Sequence, residues 1–266
     1  MVGTVRDPKI IKLELTERCN AHCVFCTNAT KKHGPDMDFD TACAIIDAFP
    51  DAVEVQPQFF GEPLLYPRIV DLVRYAKSRG KRVVFYTNGA LLEGDLARDM
   101  ADAAPDRIIF SVDTSDADTY AALRPPLTLA RVVANIEAFQ AIKSPETRTC
   151  VRATLTAETR PQKAATKAFF ASRVDQVAFA PEVPKAREVA GSFKRGAVCK
   201  RMTDQVVVKH DGSVVLCCID WEAEAVMGHV NDGVQQVWSG VAFTHAREHG
   251  HALCDRCGFT FVPDPR

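Results

Sequence analysis

The chain has 266 residues, of which 47% are hydrophobic and 25% charged, and a formal net charge of -1. This is the composition of a globular chain of one large domain, or one medium domain plus a small one, with no Lys/Arg-dominated stretch to suggest a nucleic-acid partner and no apolar run long enough to span a bilayer. The start of the chain carries no signal-like apolar core, so a cytoplasmic location is expected, and the ten cysteines read as metal ligands before disulfides.

Apolar periodicity along the chain predicts alternating strands and helices. Ile10 to Leu15 is a strand, Phe39 to Phe49 a helix, and Ala52 to Gln58 a strand that runs into Phe59-Phe60-Gly61-Glu62-Pro63. A helix at Ile69 to Arg79, a strand at Arg82 to Tyr86 ending in Thr87-Asn88-Gly89, and a helix at Leu91 to Ala103 follow. Strand Arg107 to Val112 ends at Asp113, and then come helix Leu129 to Ile142, strand Cys150 to Leu155, helix Lys163 to Phe170 and strand Gln176 to Phe179. Six βα units in series call for an α/β fold: a parallel sheet with right-handed crossovers, curled into an incomplete barrel. In such barrels the loops after the strands converge at one mouth, and each polar motif here lies at a strand's C-terminal end.

One of those loops carries Cys19, Cys23 and Cys26, spaced Cys-x3-Cys-x2-Cys. Three thiolates so close together suit three irons of a [4Fe-4S] cube and leave the fourth iron open, while a zinc site with a remote fourth ligand would use the same residue type. With the aromatic Phe25 before the last cysteine, this loop resembles that of the radical S-adenosylmethionine (SAM) superfamily. The resemblance covers roughly residues 9 to 184 and implies a partial (β/α)6 TIM-like barrel. It further implies that SAM chelates the open iron and that one electron from the cube cleaves it to a 5'-deoxyadenosyl radical.

The same resemblance supplies SAM contacts. Phe60-Gly61-Glu62-Pro63 is similar to the family's Gly-Gly-Glu-Pro segment, with Phe60 in place of the first glycine; Gly61 is expected to let the backbone come close and Glu62 to receive the SAM amino group. Thr87, Asn88, Ser111 and Asp113 match positions that bind the methionine or ribose portions, Arg124 matches a residue for the SAM carboxylate, and Phe25 is expected to flank the adenine. Each has an ordinary alternative as a turn former, a helix cap or, for Arg124, a solvated helix-end charge.

Beyond Gly191 the alternation stops. Cys199, Gly212 and Cys217 stand as Cys-x12-Gly-x4-Cys, followed later by Cys254-x2-Cys257, and Val206 to Val208 with Val214 to Leu216 read as a hairpin around Asp211-Gly212. The pattern resembles the auxiliary-cluster extension called a twitch domain, the shortened form of SPASM, and implies a second [4Fe-4S] cluster held by Cys199, Cys217, Cys254 and Cys257; a zinc ribbon uses similar spacing. The expected organisation is residues 1–190 as the radical SAM barrel and 191–266 as a small hairpin and helix domain with one auxiliary cluster. Cys43 and Cys150 read as buried small hydrophobes. Cys218 is a candidate thiol for returning a hydrogen atom to substrate.

Similarity in size and cysteine layout to aminocyclitol dehydrogenase and aminoglycoside sugar epimerase members implies oxidation or epimerisation of a small polyhydroxylated substrate, with a flavodoxin- or ferredoxin-type reductant. Arg152, Glu158, Glu182 and Lys185 are candidates for binding hydroxyl groups or acting as the base, with surface charge as the alternative. Modification of a ribosomal peptide is a second enzymatic reading, and a non-catalytic iron-sulfur carrier or sensor is a reading from another class.

Overall fold

The computed structural model describes residues 6–30, 34–182, 199–255 and 257. Lys185 and the expected boundary at 190/191 lie outside the described residues. In chain order the elements are β1 (Ile10–Leu13), α1 (Phe39–Ala48), β2 (Glu54–Gln56), α2 (Ile69–Ser78), β3 (Arg82–Thr87), α3 (Gly94–Ala103), β4 (Arg107–Ser111) and α4 (Ala117–Leu123). They continue with α5 (Leu129–Ile142), β5 (Arg148–Leu155), α6 (Lys163–Phe170) and β6 (Gln176–Pro181). After the undescribed stretch come α7 (Lys200–Asp204), β7 (Gln205–Val208), β8 (Ser213–Val215), β9 (Val226–His229), α8 (Val234–Ser239), α9 (Val241–His249) and α10 (Ala252–Asp255).

The six strands expected from periodicity pair in parallel as β6-β5-β4-β3-β2-β1. Their alternate side chains, among them Ile11, Leu13, Val55, Phe85, Phe110 and Val151, are 0% exposed in a single hydrophobic core. Because side chains alternate across a strand, the other face carries Lys12, Gln56, Tyr86, Ser111 and Arg152, none of them fully buried. That polar face is the inside of the open barrel. Among the elements with no predicted range are α4, whose Asp116 side chain accepts from the Thr119 N–H as an N-cap, and β9. β2 is shorter than expected because the Gln58 N–H turns back onto the Gln56 carbonyl.

The expected hairpin is present as β7 and β8, with Gly212 at φ +87° between them. It is not set apart from the barrel. β7 pairs in parallel with β1, Leu13 against Val208, so one sheet of nine strands runs β6-β5-β4-β3-β2-β1-β7-β8-β9. Arg247 fastens the following helices, donating to the carbonyls of Met202 and Trp238 while lying 4.0 Å over the Trp238 ring.

Candidate active site

The cysteine loop leaves β1 and is pinned by backbone bonds to its surroundings: Glu62 N–H to Arg18 O (2.8 Å), His22 N–H to Pro125 O (2.6 Å) and Val24 N–H to Leu123 O (3.0 Å). Cys23 is buried, Cys19 and Cys26 half-buried, and Asn28 N–H donates to Cys26 Sγ at 3.5 Å. Burial pushes the Cys19 thiol up to about 12, with Glu62 and the two neighbouring cysteines adding to the effect. Burial also raises Cys23, opposed by the Arg124 guanidinium. A metal binds such thiols only as thiolates, so a cluster held here would displace their protons as it assembled.

Gly61 permits a close backbone approach, here to the cysteine loop. A Cβ there would lie 2.0 Å from Thr16 O and 2.9 Å from Arg18 O, so the missing side chain is what lets the Phe60–Glu62 backbone lie against the cysteine loop. Glu62 is buried and accepts from Thr87 Oγ1 (2.6 Å), Leu64 N–H (3.2 Å) and Asn88 N–H (2.8 Å). Burial raises its pKa against those donors. A carboxylate has about four lone-pair sites, so one acceptor position remains for an ammonium.

Three of the expected SAM contacts have partners within the protein. Thr87 donates to Glu62 and accepts from Gly89 N–H at 3.0 Å, which engages its buried hydroxyl on both sides. Asn88 donates through Nδ2 to Asn20 Oδ1 (2.7 Å) and accepts Ala90 N–H (3.0 Å), tying the β3 loop to the cysteine loop. Asp113 is 1% exposed and its two oxygens accept from Arg124 Nε (2.6 Å) and Thr154 N–H (2.9 Å). Arg124 is not the solvated helix-end charge of the ordinary alternative, being buried. Its charge is matched by Asp113, its Nη1 lies 3.4 Å from Cys23 Sγ, and the guanidinium stands 5.1 Å from the Phe25 ring centroid. Asp113 and Cys23 hold that charge in place against desolvation.

Ser111 is half-buried on the inner face, in register with Arg152 on β5. Phe25 lines a cavity of about 330 Å³ with Val24, Leu123, Thr156, Ala157, Glu158 and Glu182. The Glu158 carboxylate accepts from Thr156 Oγ1 and is lowered by that bond. Arg152 reaches across β4 to donate to Tyr86 Oη at 2.9 Å. Sequence reasoning missed Gln58, whose Oε1 is buried with no hydrogen-bond partner. It continues the inward parity of Glu54 and Gln56, a signal available from alternation alone.

The second cysteine set is assembled from the start of α7, the end of β8 and the stretch around α10. Cys217 and Cys254 are buried, Cys199 and Cys257 half-buried. Burial raises Cys217, and the charges of Cys218, Cys199 and Cys254 add to it. Burial raises Cys254 likewise, with Cys199 and Cys257 adding, so Cys254 sits in the field of two other expected ligands. Cys218 is half-buried and accepts from Arg201 Nη1 at 3.0 Å. Cys43 and Cys150 are buried, as expected of small hydrophobes.

The family model of the radical SAM superfamily matches residues 13–161, and that of SPASM, an iron-sulfur cluster-binding domain, matches residues 199–258. The chain belongs to the radical SAM superfamily. Two [4Fe-4S] clusters and SAM come with these two domains. The gathered thiols, the orphaned Gln58 acceptor and the cavity beside Phe25 fit such cofactors.

Among curated relatives, the tungsten-containing aldehyde ferredoxin oxidoreductase cofactor-modifying protein of Pyrococcus furiosus is 36% identical over 112 residues, 40% of this chain and 31% of the relative. The AdoMet-dependent heme synthase of Methanosarcina barkeri is 32% identical over 146 residues, 53% of this chain and 41% of the relative. The chain thus spans well under half the length of these relatives. The crystal structure of BtrN in complex with AdoMet and 2-DOIA aligns with TM-score 0.62 at 17% identity, over 94% of this chain and 93% of that one. Streptococcus suis SuiB bound to precursor peptide SuiA aligns with TM-score 0.73 at 12% identity, over 94% and 71%. At such identities these structures speak for the fold.

Proposed function

We propose that this radical SAM enzyme oxidises a small polyhydroxylated substrate, a sugar or aminocyclitol, at a carbinol carbon. In this reading Cys19, Cys23 and Cys26 hold the SAM-binding cube and Cys199, Cys217, Cys254 and Cys257 the auxiliary one. Bound there, SAM and the two clusters supply a hydrogen-abstracting radical and an electron acceptor, so a carbinol gives up a hydrogen atom from carbon, a proton from oxygen and one electron to become a ketone. The protein's part is to place the substrate. Arg152 presents donors from the inner face beside Ser111, and only one of its five N–H groups is committed to Tyr86. Gln58 keeps a buried acceptor without a partner, and Glu62 keeps one acceptor position.

The observation that carries the reading is that Ser111 and Arg152 lie side by side on the inner face of the sheet that delivers the cysteine loop. The likeness of size and fold to BtrN, whose structure holds AdoMet and 2-DOIA, supports a small substrate. A second reading, epimerisation, rests on the half-exposed Cys218, whose thiol would return the hydrogen atom. The test is anaerobic reconstitution, then incubation of the reduced protein with SAM and a panel of aminocyclitols and amino sugars deuterated at each carbinol carbon. The expected result is about eight irons per chain, deuterium in 5'-deoxyadenosine, and a ketone product. An epimer in place of the ketone selects the second reading, and absence of 5'-deoxyadenosine overturns both in favour of a non-catalytic carrier.

A further inference from the structure

The parallel pairing of β1 with β7 puts Leu13 beside Val208, so the residues that follow, Glu14 and Lys209, come out side by side. Lys209 Nζ lies 2.9 Å from Glu14 Oε2 and 3.4 Å from Glu17 Oε1. His210 bridges the same two carboxylates, Nδ1 at 3.3 Å from Glu14 Oε2 and Nε2 at 3.6 Å from Glu17 Oε2. All four side chains are nearly buried, with relative exposures of 0% for Glu14, 12% for Glu17 and 8% each for Lys209 and His210. The two acids belong to the stretch that leads into Cys19, and the two bases to the turn between β7 and β8.

The donor atoms of Glu14, Glu17 and His210 lie within 4.8 Å of one another, as a metal ion would require. The Lys209 ammonium already lies against both carboxylates, and each imidazole nitrogen faces a carboxylate oxygen, so the negative charge is matched from within. Buried ion networks of this kind add little net stability, because desolvation cancels most of the attraction, but they fix geometry.

What they fix here is the SAM side of the molecule. Glu14 Oε1 accepts Phe60 N–H (3.4 Å) and Glu17 Oε2 accepts Gly34 N–H (3.3 Å). The Glu17 carbonyl accepts Asn28 Nδ2 at 2.6 Å, and Asn28 N–H in turn reaches Cys26 Sγ. An aromatic layer runs the same way. Lys209 Nζ stands 5.7 Å from the Phe59 ring centroid, Phe59 and Phe60 meet edge-on at 4.7 Å, and Phe60 meets Trp221 at 5.5 Å. Phe60 occupies the place where the family segment has glycine, and its ring spans from the Gly61-Glu62 segment to the residue four after Cys217.

We infer that the auxiliary region has a task besides holding a cluster: through Lys209, His210 and Trp221 it sets the cysteine loop and the Phe60–Glu62 segment in the position that receives SAM. This rests on the reading that Cys19, Cys23 and Cys26 hold the SAM-binding cube. Lys209 is then a positioning residue, acting through Glu14 and Glu17, and its influence falls on SAM affinity at the first cluster, not on the second.

The test uses the reconstituted full chain. SAM is titrated against the EPR signal of the first cluster in wild type, Lys209→Met, Lys209→Arg and the double variant Glu14→Gln/Lys209→Met. Expected are a full iron count and an unchanged auxiliary signal in K209M with SAM binding weakened about tenfold, near-wild-type binding in K209R, and partial recovery in the double variant, which buries no unmatched charge. Full-iron K209M that binds SAM as wild type does overturns the inference. Should K209M fail to accumulate, Trp221→Leu carries the test: weakening of about threefold is expected, and unchanged SAM affinity overturns it. A wild-type protein whose iron-replete first cluster ignores SAM refutes the underlying cluster assignment, and the inference with it.

Discussion

Cys19, Cys23 and Cys26 come from one eight-residue loop, whereas Cys199, Cys217, Cys254 and Cys257 are drawn from segments up to 58 residues apart. The contiguous set needs no tertiary structure to be close together, but it needs a great deal to be held still. Backbone bonds from Glu62, Pro125 and Leu123, the Asn88–Asn20 link and the Arg124–Cys23 contact all serve that end. The dispersed set is the reverse case, since only folding brings its segments together, and it buries two of the four, Cys217 and Cys254. Each region also carries a partly or wholly buried arginine against a cysteine sulfur. Arg124 is tied to Asp113 as well as to Cys23, while Arg201 reaches Cys218 and sits in the field of Cys217 and Cys199.

The sharpest way to separate the two regions is to remove one ligand from each. Cys19→Ala is expected to take 5'-deoxyadenosine formation below detection, read by chromatography, and to leave the auxiliary EPR signal in place; persistence of SAM cleavage would place the reactive cluster elsewhere. Cys254→Ala should do the converse, keeping SAM cleavage within about threefold while product formation falls at least a hundredfold. Equal loss of both activities would mean that the auxiliary region's integrity, and not its electron acceptor, is what turnover requires.

A smaller effect tests the framework of the first region. Arg124→Gln leaves the Asp113 carboxylate buried without its cation, which costs about 3–5 kcal/mol in denaturant unfolding; Asp113→Asn added to it should recover part of that loss. If the single change costs under about 1 kcal/mol, Asp113 finds its partner elsewhere.

The smallest expected effect is a pH slope at the junction of the two regions. His210 has its pKa raised by its contact with Glu14, against burial, with Glu17 and Asp211 adding to the rise. Its stabilising contribution is therefore whole below the unfolded value of about 6.5 and lost as pH climbs through the higher folded value. Glu14 behaves oppositely: burial would raise it, but His210 and Lys209 together hold it below its usual range, so its contribution is lost as pH falls through that lowered value. The holoprotein should thus be most stable at mildly acidic pH. His210→Gln should flatten the alkaline limb between pH 6 and 9 in anaerobic unfolding; an unchanged limb would assign the slope to another group.

Local pattern made much of this molecule legible. The 2-residue and 3.6-residue periodicities located all six barrel strands and their main helices, because each element buries one face and that burial is written in the alternation itself. The cysteine spacings announced both cluster regions for a similar reason, since ligand geometry constrains residues that are near in sequence. The polar site was less legible. Thr87, Asn88 and Asp113 read equally well as ligand contacts or as turn and cap residues, and their partners, Glu62, Asn20, Arg124 and Thr154, come from distant parts of the chain that no local pattern names.

Sequence by itself determined the parallel α/β barrel, its polar rim and the two sets of thiols. Tertiary structure alone decided that the C-terminal hairpin would extend the barrel's sheet through β1 and β7, and that His210 would meet Glu14 across 196 positions of chain. The physical reason is that burial and ligand spacing leave a local imprint, while the partner of a buried charge is chosen by whichever distant residue the finished sheet brings beside it.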